Sequence, residues 1–208
     1  MTPLESVTGP HPSGWEIATL GNLCEMKSSP KSLEADIAFH EGVPVISPAQ
    51  IGNGQIDLLL AQRIPLDKAK RLERHRLRLN DIVMIRTGDR LEHALLTGDA
   101  AVQAPIAGGS CFRIRVISDD LLPEYLSWYL NRPAVQEWMG RRDSSGVVRH
   151  RRMAELASLP IPLPALPEQS RMAEIGRLLE RKIRVHEEAA DVARRLRDEV
   201  ARSMLAGR

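Results

Sequence analysis

Apolar positions along this chain change their spacing part-way. From Trp15 to about residue 120 they come in short runs bounded by glycine, proline and polar residues, the pattern of short strands. Val43, Val45 and Ile46 precede Ser47-Pro48, and Gly52-Asn53-Gly54 marks a turn, with Ile56 to Leu60 continuing the sheet. Ile82-Val83-Met84-Ile85 reads as an apolar strand ending at Thr87-Gly88-Asp89, and Leu95 and Leu96 lead into a Gly98-Asp99 turn. Between Cys111 and Ile117, Arg113 and Arg115 alternate with Phe112, Ile114 and Val116, as in a half-exposed strand. Beyond residue 120 the period becomes helical. Pro123 suits a first turn ahead of Tyr125, Leu126, Tyr129 and Leu130; Pro133 starts a second short helix and Met153 a third.

Two further stretches complete the plan. In LPIPLPALPEQ (159–169) four prolines interleave with apolar residues. Each lacks an amide donor and favours extended backbone, so the segment predicts a stiff strap packed on a domain and not a central strand; a proline-rich peptide ligand is the rival reading. From 168 to about 206 there is no proline and one internal glycine. A helix of that length spans roughly 60 Å at 1.5 Å per residue. Its apolar stripe comprises Ile175, Leu179, Ile183, His186, Ala189, Ala193, Leu196 and Val200, although Lys182, His186 and Ser203 interrupt a strict heptad. That stripe predicts a second helix against it, with folding back on its own domain as the alternative. The expected organisation is a loose tail (1–13), a mixed α+β domain ending in the strap (14–166) and one long C-terminal helix for association (167–208).

Composition narrows the function. Hydrophobic residues make up 43% of the 208, enough for a real core. The net charge is only +2, so any nucleic-acid footprint must come from local patches. Aromatics at 3% argue against a base-stacking platform. Cys24 and Cys111 sit among apolar neighbours, which suits buried thiols in a reducing compartment. No apolar run approaches the roughly 20 residues that span a bilayer, and the N-terminus lacks a signal-peptide pattern, so a cytoplasmic protein off the membrane is expected.

Chemistry-bearing motifs are few. Walker loop, nucleophile elbow and metal-ligand spacing are all missing, and the six histidines are dispersed, so no catalytic residue and no metal site is predicted. His75-Arg76-Leu77-Arg78 imitates a recombinase box without a C-terminal tyrosine to serve as nucleophile, and Asp67, Lys68 and Glu73 do not make a nuclease site. No methyl-donor loop occurs, and no cofactor is expected on this chain. What remains is localised charge: residues 63–78 hold seven Lys/Arg against two acids, and GRRDSSGVVRHRR (140–152) holds five arginines. Arginine neutralises phosphate and its planar fork reads guanine in the major groove. The candidate DNA contacts are therefore Gln50, Asn53, Arg74, Arg76, Arg86, Thr87, Arg90, Arg141, Arg142, Ser144, Ser145, Arg149, His150, Arg151 and Arg152. A solvated basic face is the alternative for any one segment.

Five stretches, in order, resemble the target-recognition half of a type I restriction-modification specificity subunit: GWEIATLGNLCEM, GVPVISPAQIGNGQID, LRLNDIVMIRTGD, LPEYLSWYLNRPAVQEWM and LASLPIPLPALPEQSRMAEIGRLLERK. The last is the most specific, and the likeness runs from about Trp15 onward. The resemblance implies a domain that reads a few base pairs of duplex DNA and a helix that pairs antiparallel with another. It further implies a partner adenine methyltransferase subunit carrying S-adenosylmethionine, and room for a translocating restriction subunit. Typical members carry two recognition domains and two helices; this chain has one of each, so a homodimer through the helix would restore the missing half, the alternatives being a fragment that needs a separate partner chain or a degenerate gene product. Two other functions stay open: a stand-alone DNA-binding regulator, and a helix-mediated interaction module whose basic loops serve solubility.

Overall fold

The computed structural model describes residues 7–8, 12, 14–28, 41–86, 92–140 and 153–206. In chain order the elements are β1 (Glu16–Thr19), α1 (Leu20–Leu23), β2 (Cys24–Ser28), β3 (Val43–Ile46), β4 (Ile51–Gly52), β5 (Gln55–Ile56), β6 (Arg63–Ile64) and α2 (Leu66–Arg71). Then follow β7 (Ile82–Ile85), β8 (His93–Leu95), α3 (Gly98–Val102), β9 (Ile106–Ala107), β10 (Cys111–Val116), α4 (Pro123–Leu130), α5 (Pro133–Gly140), α6 (Met153–Ala157), β11 (Pro160–Leu163) and α7 (Leu166–Leu205). The fold is mixed α+β with a long C-terminal helix.

The main sheet runs β2-β10-β7-β8, antiparallel throughout. Strand alternation sends its side chains to two cores. Phe112, Ile114, Ile82, Met84 and Cys24 join Tyr125, Leu126, Tyr129 and Val135 on the helical side. Cys111, Val83 and Ile85 join Ile46, Ile51, Leu77, Leu96 and Ala107 on the other. A smaller sheet, β6-β3-β9, combines an antiparallel and a parallel pair.

The strap is a strand at an edge, and among the described residues it pairs only with β1. Its prolines explain how. Pro160 and Pro162 turn their carbonyls away from β1, where the Tyr129 and Tyr125 hydroxyls donate to them at 2.9 Å each. Proline at every second position removes donors only from the side that needs acceptors. Burial raises both phenols, Tyr129 to about 12.

Several expectations need correction. Within the segment expected to be a loose tail, Val7 lies in the helical-side core and Thr8 is buried, with the Arg132 guanidinium donating to the Thr8 carbonyl at 3.0 Å. The sheet does not continue to Leu60: the Asp57 carboxylate accepts the Leu59 amide at 2.8 Å and closes a turn that leaves Leu59 and Leu60 exposed. Helices α2 and α3 form where only a basic stretch and a turn were expected. Arg113, expected on a half-exposed strand, is only 3% exposed because Glu25 across the sheet offers it a carboxylate.

Candidate nucleic-acid interface

Of the sequence-predicted contacts, Gln50, Asn53, Arg74, Arg76 and Arg86 fall on described residues, on three separate segments. Thr87, Arg90, Arg141, Arg142, Ser144, Ser145, Arg149, His150, Arg151 and Arg152 lie outside them. Asn53 and Gly54 form the tip of the β4–β5 hairpin, both with positive φ (51° and 71°), as a two-residue type I′ turn requires. That turn presents the Asn53 amide to solvent at the end of a fixed hairpin. Gln50 closes the preceding 3-10 turn, and its amide oxygen accepts from the Ser47 backbone amide and hydroxyl at 3.1 and 2.6 Å. Arg86, at the end of β7, lies over the Phe112 ring, 5.0 Å from its centroid, and donates to the Gly109 carbonyl at 3.2 Å. Arg76 is turned inward, donating to the Ala104 carbonyl at 2.9 Å.

A second group of charges was not read from the sequence as a site. Glu25 and Lys27 on β2 and Arg113 and Arg115 on β10 share the face of the main sheet away from the helices, with Lys27 directly opposite Arg113 and Glu25 opposite Arg115. The Glu25 carboxylate bridges Lys27 and Arg113, and the Lys27 hydrogen bond leads the effects that hold it below the usual carboxylate range. Arg115 grips the buried Asp81 with two hydrogen bonds, 2.7 and 2.6 Å, which raise its already high pKa. The turn carrying Arg74 and His75 adjoins this face. The Arg74 Nε donates to His75 Nε2 at 3.1 Å, and burial, followed by the charges of Arg74, Arg113 and Lys27, lowers the imidazole pKa. The signal available in the sequence was the paired alternation in CEMKS and CFRIRV, which puts four charges on one sheet face.

Helix α7 is bolted to the domain by its first three turns. The Gln169 side chain, fully buried, accepts the Leu122 amide at 2.9 Å and donates to the Asp120 and Pro164 carbonyls at 2.7 and 2.9 Å. Ala173 and Gly176 complete the contact, Gly176 against the Trp128 indole. Asn131 then donates to Glu180 at 3.1 Å. Farther along, Ile175, Leu179, Ile183, Leu196 and Val200 are all exposed, as are Leu178, Val185 and Val192. At 100° per residue the stripe lies about 140° around the helix from the bolted face. A third face, with Arg177, Arg181 and Arg184, lines a cleft of about 940 Å³ opposite the hairpin tip. Glu124, Glu174, Glu180 and Asp99 line it too, so the cleft is of mixed charge and not basic.

Among the described residues no three His, Cys, Asp or Glu side chains are grouped to hold a metal ion, and no helix is long and apolar enough to cross a membrane. A mixed domain holding one end of a 40-residue helix, and leaving that helix's apolar face bare, is the class of molecule defined here. Residues 12–191 match the type I restriction modification DNA specificity domain, and the chain belongs to that family. Its backbone is similar to the HsdS subunit from Thermoanaerobacter tengcongensis, with TM-score 0.57 and 19% identity over 89% of this chain and 43% of that one. It is similar to the type I restriction-modification system S subunit from M. genitalium, with TM-score 0.55 and 15% identity over 94% of this chain and 46% of that one. A third likeness, with TM-score 0.59 and 18% identity over 89% and 43%, is to a chain solved to show complex assembly and conformational transition of the type I R-M system. At these identities the likeness is one of fold, and the chain spans less than half the length of each. No curated protein matches it.

Proposed function

We propose that this chain reads a few base pairs of duplex DNA as the specificity subunit of a type I restriction-modification complex and contributes no catalytic group. Family membership over residues 12–191 carries the reading. The methyl transfer falls to a partner adenine methyltransferase subunit, which holds S-adenosylmethionine and takes the target base out of the stack. The same scaffold leaves room for a translocating restriction subunit, and the role places the chain in the cytoplasm. The bare stripe on α7 supports association with a second copy, which supplies the second half of the recognition surface. Co-expression with the adenine methyltransferase subunit should yield a stable complex, and methylome sequencing should show a motif that disappears when this chain is deleted. A methylome unchanged by that deletion would overturn the reading.

A further inference from the structure

Around His75 the charges do not balance. The charges that act on it are Arg74 on its own turn, Lys27 on β2 and Arg113 on β10; Glu73 and Arg76 flank it in the chain, and Glu25 and Arg115 share the sheet face with Lys27 and Arg113. Arg115 is taken by Asp81, and Arg76 sits 3.4 Å from Glu73. Lys27, Arg74 and Arg113 are left against one carboxylate, Glu25. Like charges directly opposite on neighbouring strands repel, and Lys27 and Arg113 are such a pair. Arg113 is 97% buried, and its Nε has no hydrogen-bond partner. Burying a guanidinium with an open donor is costly, and the one carboxylate that compensates it, Glu25, is shared with Lys27. Arg74 is exposed and Lys27 and His75 are half-buried, so the surplus is presented at the surface above that buried charge.

We propose that Lys27, Arg74 and His75, backed by the buried Arg113, form a clamp for a backbone phosphate of the duplex. The proposal rests on the DNA-reading function above and assigns it a positioning contact. The clamp is linked to protons. In the free protein burial, and after it the charges of Arg74, Arg113 and Lys27, hold the His75 imidazole below its ordinary pKa, and its Nε2 accepts from Arg74. A phosphate arriving between them replaces repulsion with attraction, so His75 takes up a proton on binding. Affinity therefore rises as pH falls.

The test is binding of the full-length chain to a fluorescent random-sequence duplex, by anisotropy, at pH 6 and pH 8 and across a salt series. Wild type should bind about 3- to 10-fold more tightly at pH 6. His75→Gln should lose most of that difference, and the comparison between the two proteins cancels the other histidines. His75→Arg should bind tightly at both pH values, a rescue that a merely structural role would not give. Lys27→Gln should lower the slope of log affinity against log salt by about 1, as expected for one lost phosphate contact. If wild type binds duplex and these variants keep its pH profile and salt slope, the clamp is wrong and the DNA-reading function stands. If wild type binds no duplex even at low salt, that function fails and the clamp fails with it.

Discussion

A single missing methyl group decides how α7 leaves the domain. A Cβ built on Gly176 would lie 2.0 Å from Cδ1 of Trp128, an atom of a rigid ring and not the far end of a flexible chain. Gly176→Ala should therefore destabilise the protein by about 1–3 kcal/mol in urea unfolding, despite alanine's higher helix propensity. A gain in stability would mean that the indole does not seat on this glycine. The two cysteines give a prediction of opposite character. Burial pushes both thiols to about 12 from an ordinary value of 9.0. At pH 8 the thiolate fraction is then about 10⁻⁴, so Ellman's reagent should label neither residue until the chain is unfolded. The unfolded chain releases these protons first, so their contribution to stability should fall as pH rises above 9.

At the scale of elements, β11 shows how strand pairing can tolerate four prolines nearby. Tyr129→Phe would leave the Pro160 carbonyl without its donor in the core and should cost about 1–2 kcal/mol, read as a lower urea midpoint with unchanged slope. An unshifted midpoint would mean water takes the hydroxyl's place. This pairing also marks how far the sequence could be read. Continuous apolar runs such as Ile82–Ile85 were legible because both faces of their sheet are covered, and α7 was legible because no proline follows its first turn. The β1–β11 and β3–β9 pairings were not, since short strands far apart in sequence carry no local mark of their partners. The candidate site was less legible still. Arg76 looked like any other arginine in a basic run, yet its guanidinium is committed to a backbone carbonyl. Lys27 and Arg113 are 86 positions apart and become neighbours only through register.

For the whole molecule the open question is what covers the stripe on α7. From Arg177 to Leu205 the helix extends about 43 Å at 1.5 Å per residue, with its large apolar side chains exposed. Leaving such a stripe in water forfeits about 25 cal/mol for every Å² of apolar surface, and the stripe faces away from the chain's own domain. Under the association proposed above, a second α7 running antiparallel would cover it and place the two domains at opposite ends, related by a two-fold axis. A symmetric pair of readers calls for two inverted half-sites whose separation is fixed by the helix. Association and DNA contact should then come apart under mutation. Leu179→Glu with Leu196→Glu should give a folded monomer by analytical ultracentrifugation. It should bind a two-half-site duplex at least tenfold more weakly, because the second contact no longer follows from the first. Replacing Arg149, Arg151 and Arg152 together with alanine should leave the sedimentation of the dimer unchanged while weakening DNA binding sharply and flattening its salt dependence. A double-glutamate variant that still sediments as a dimer would move the interface off this stripe, and a triple-alanine variant with wild-type affinity would remove residues 149–152 from the DNA contact.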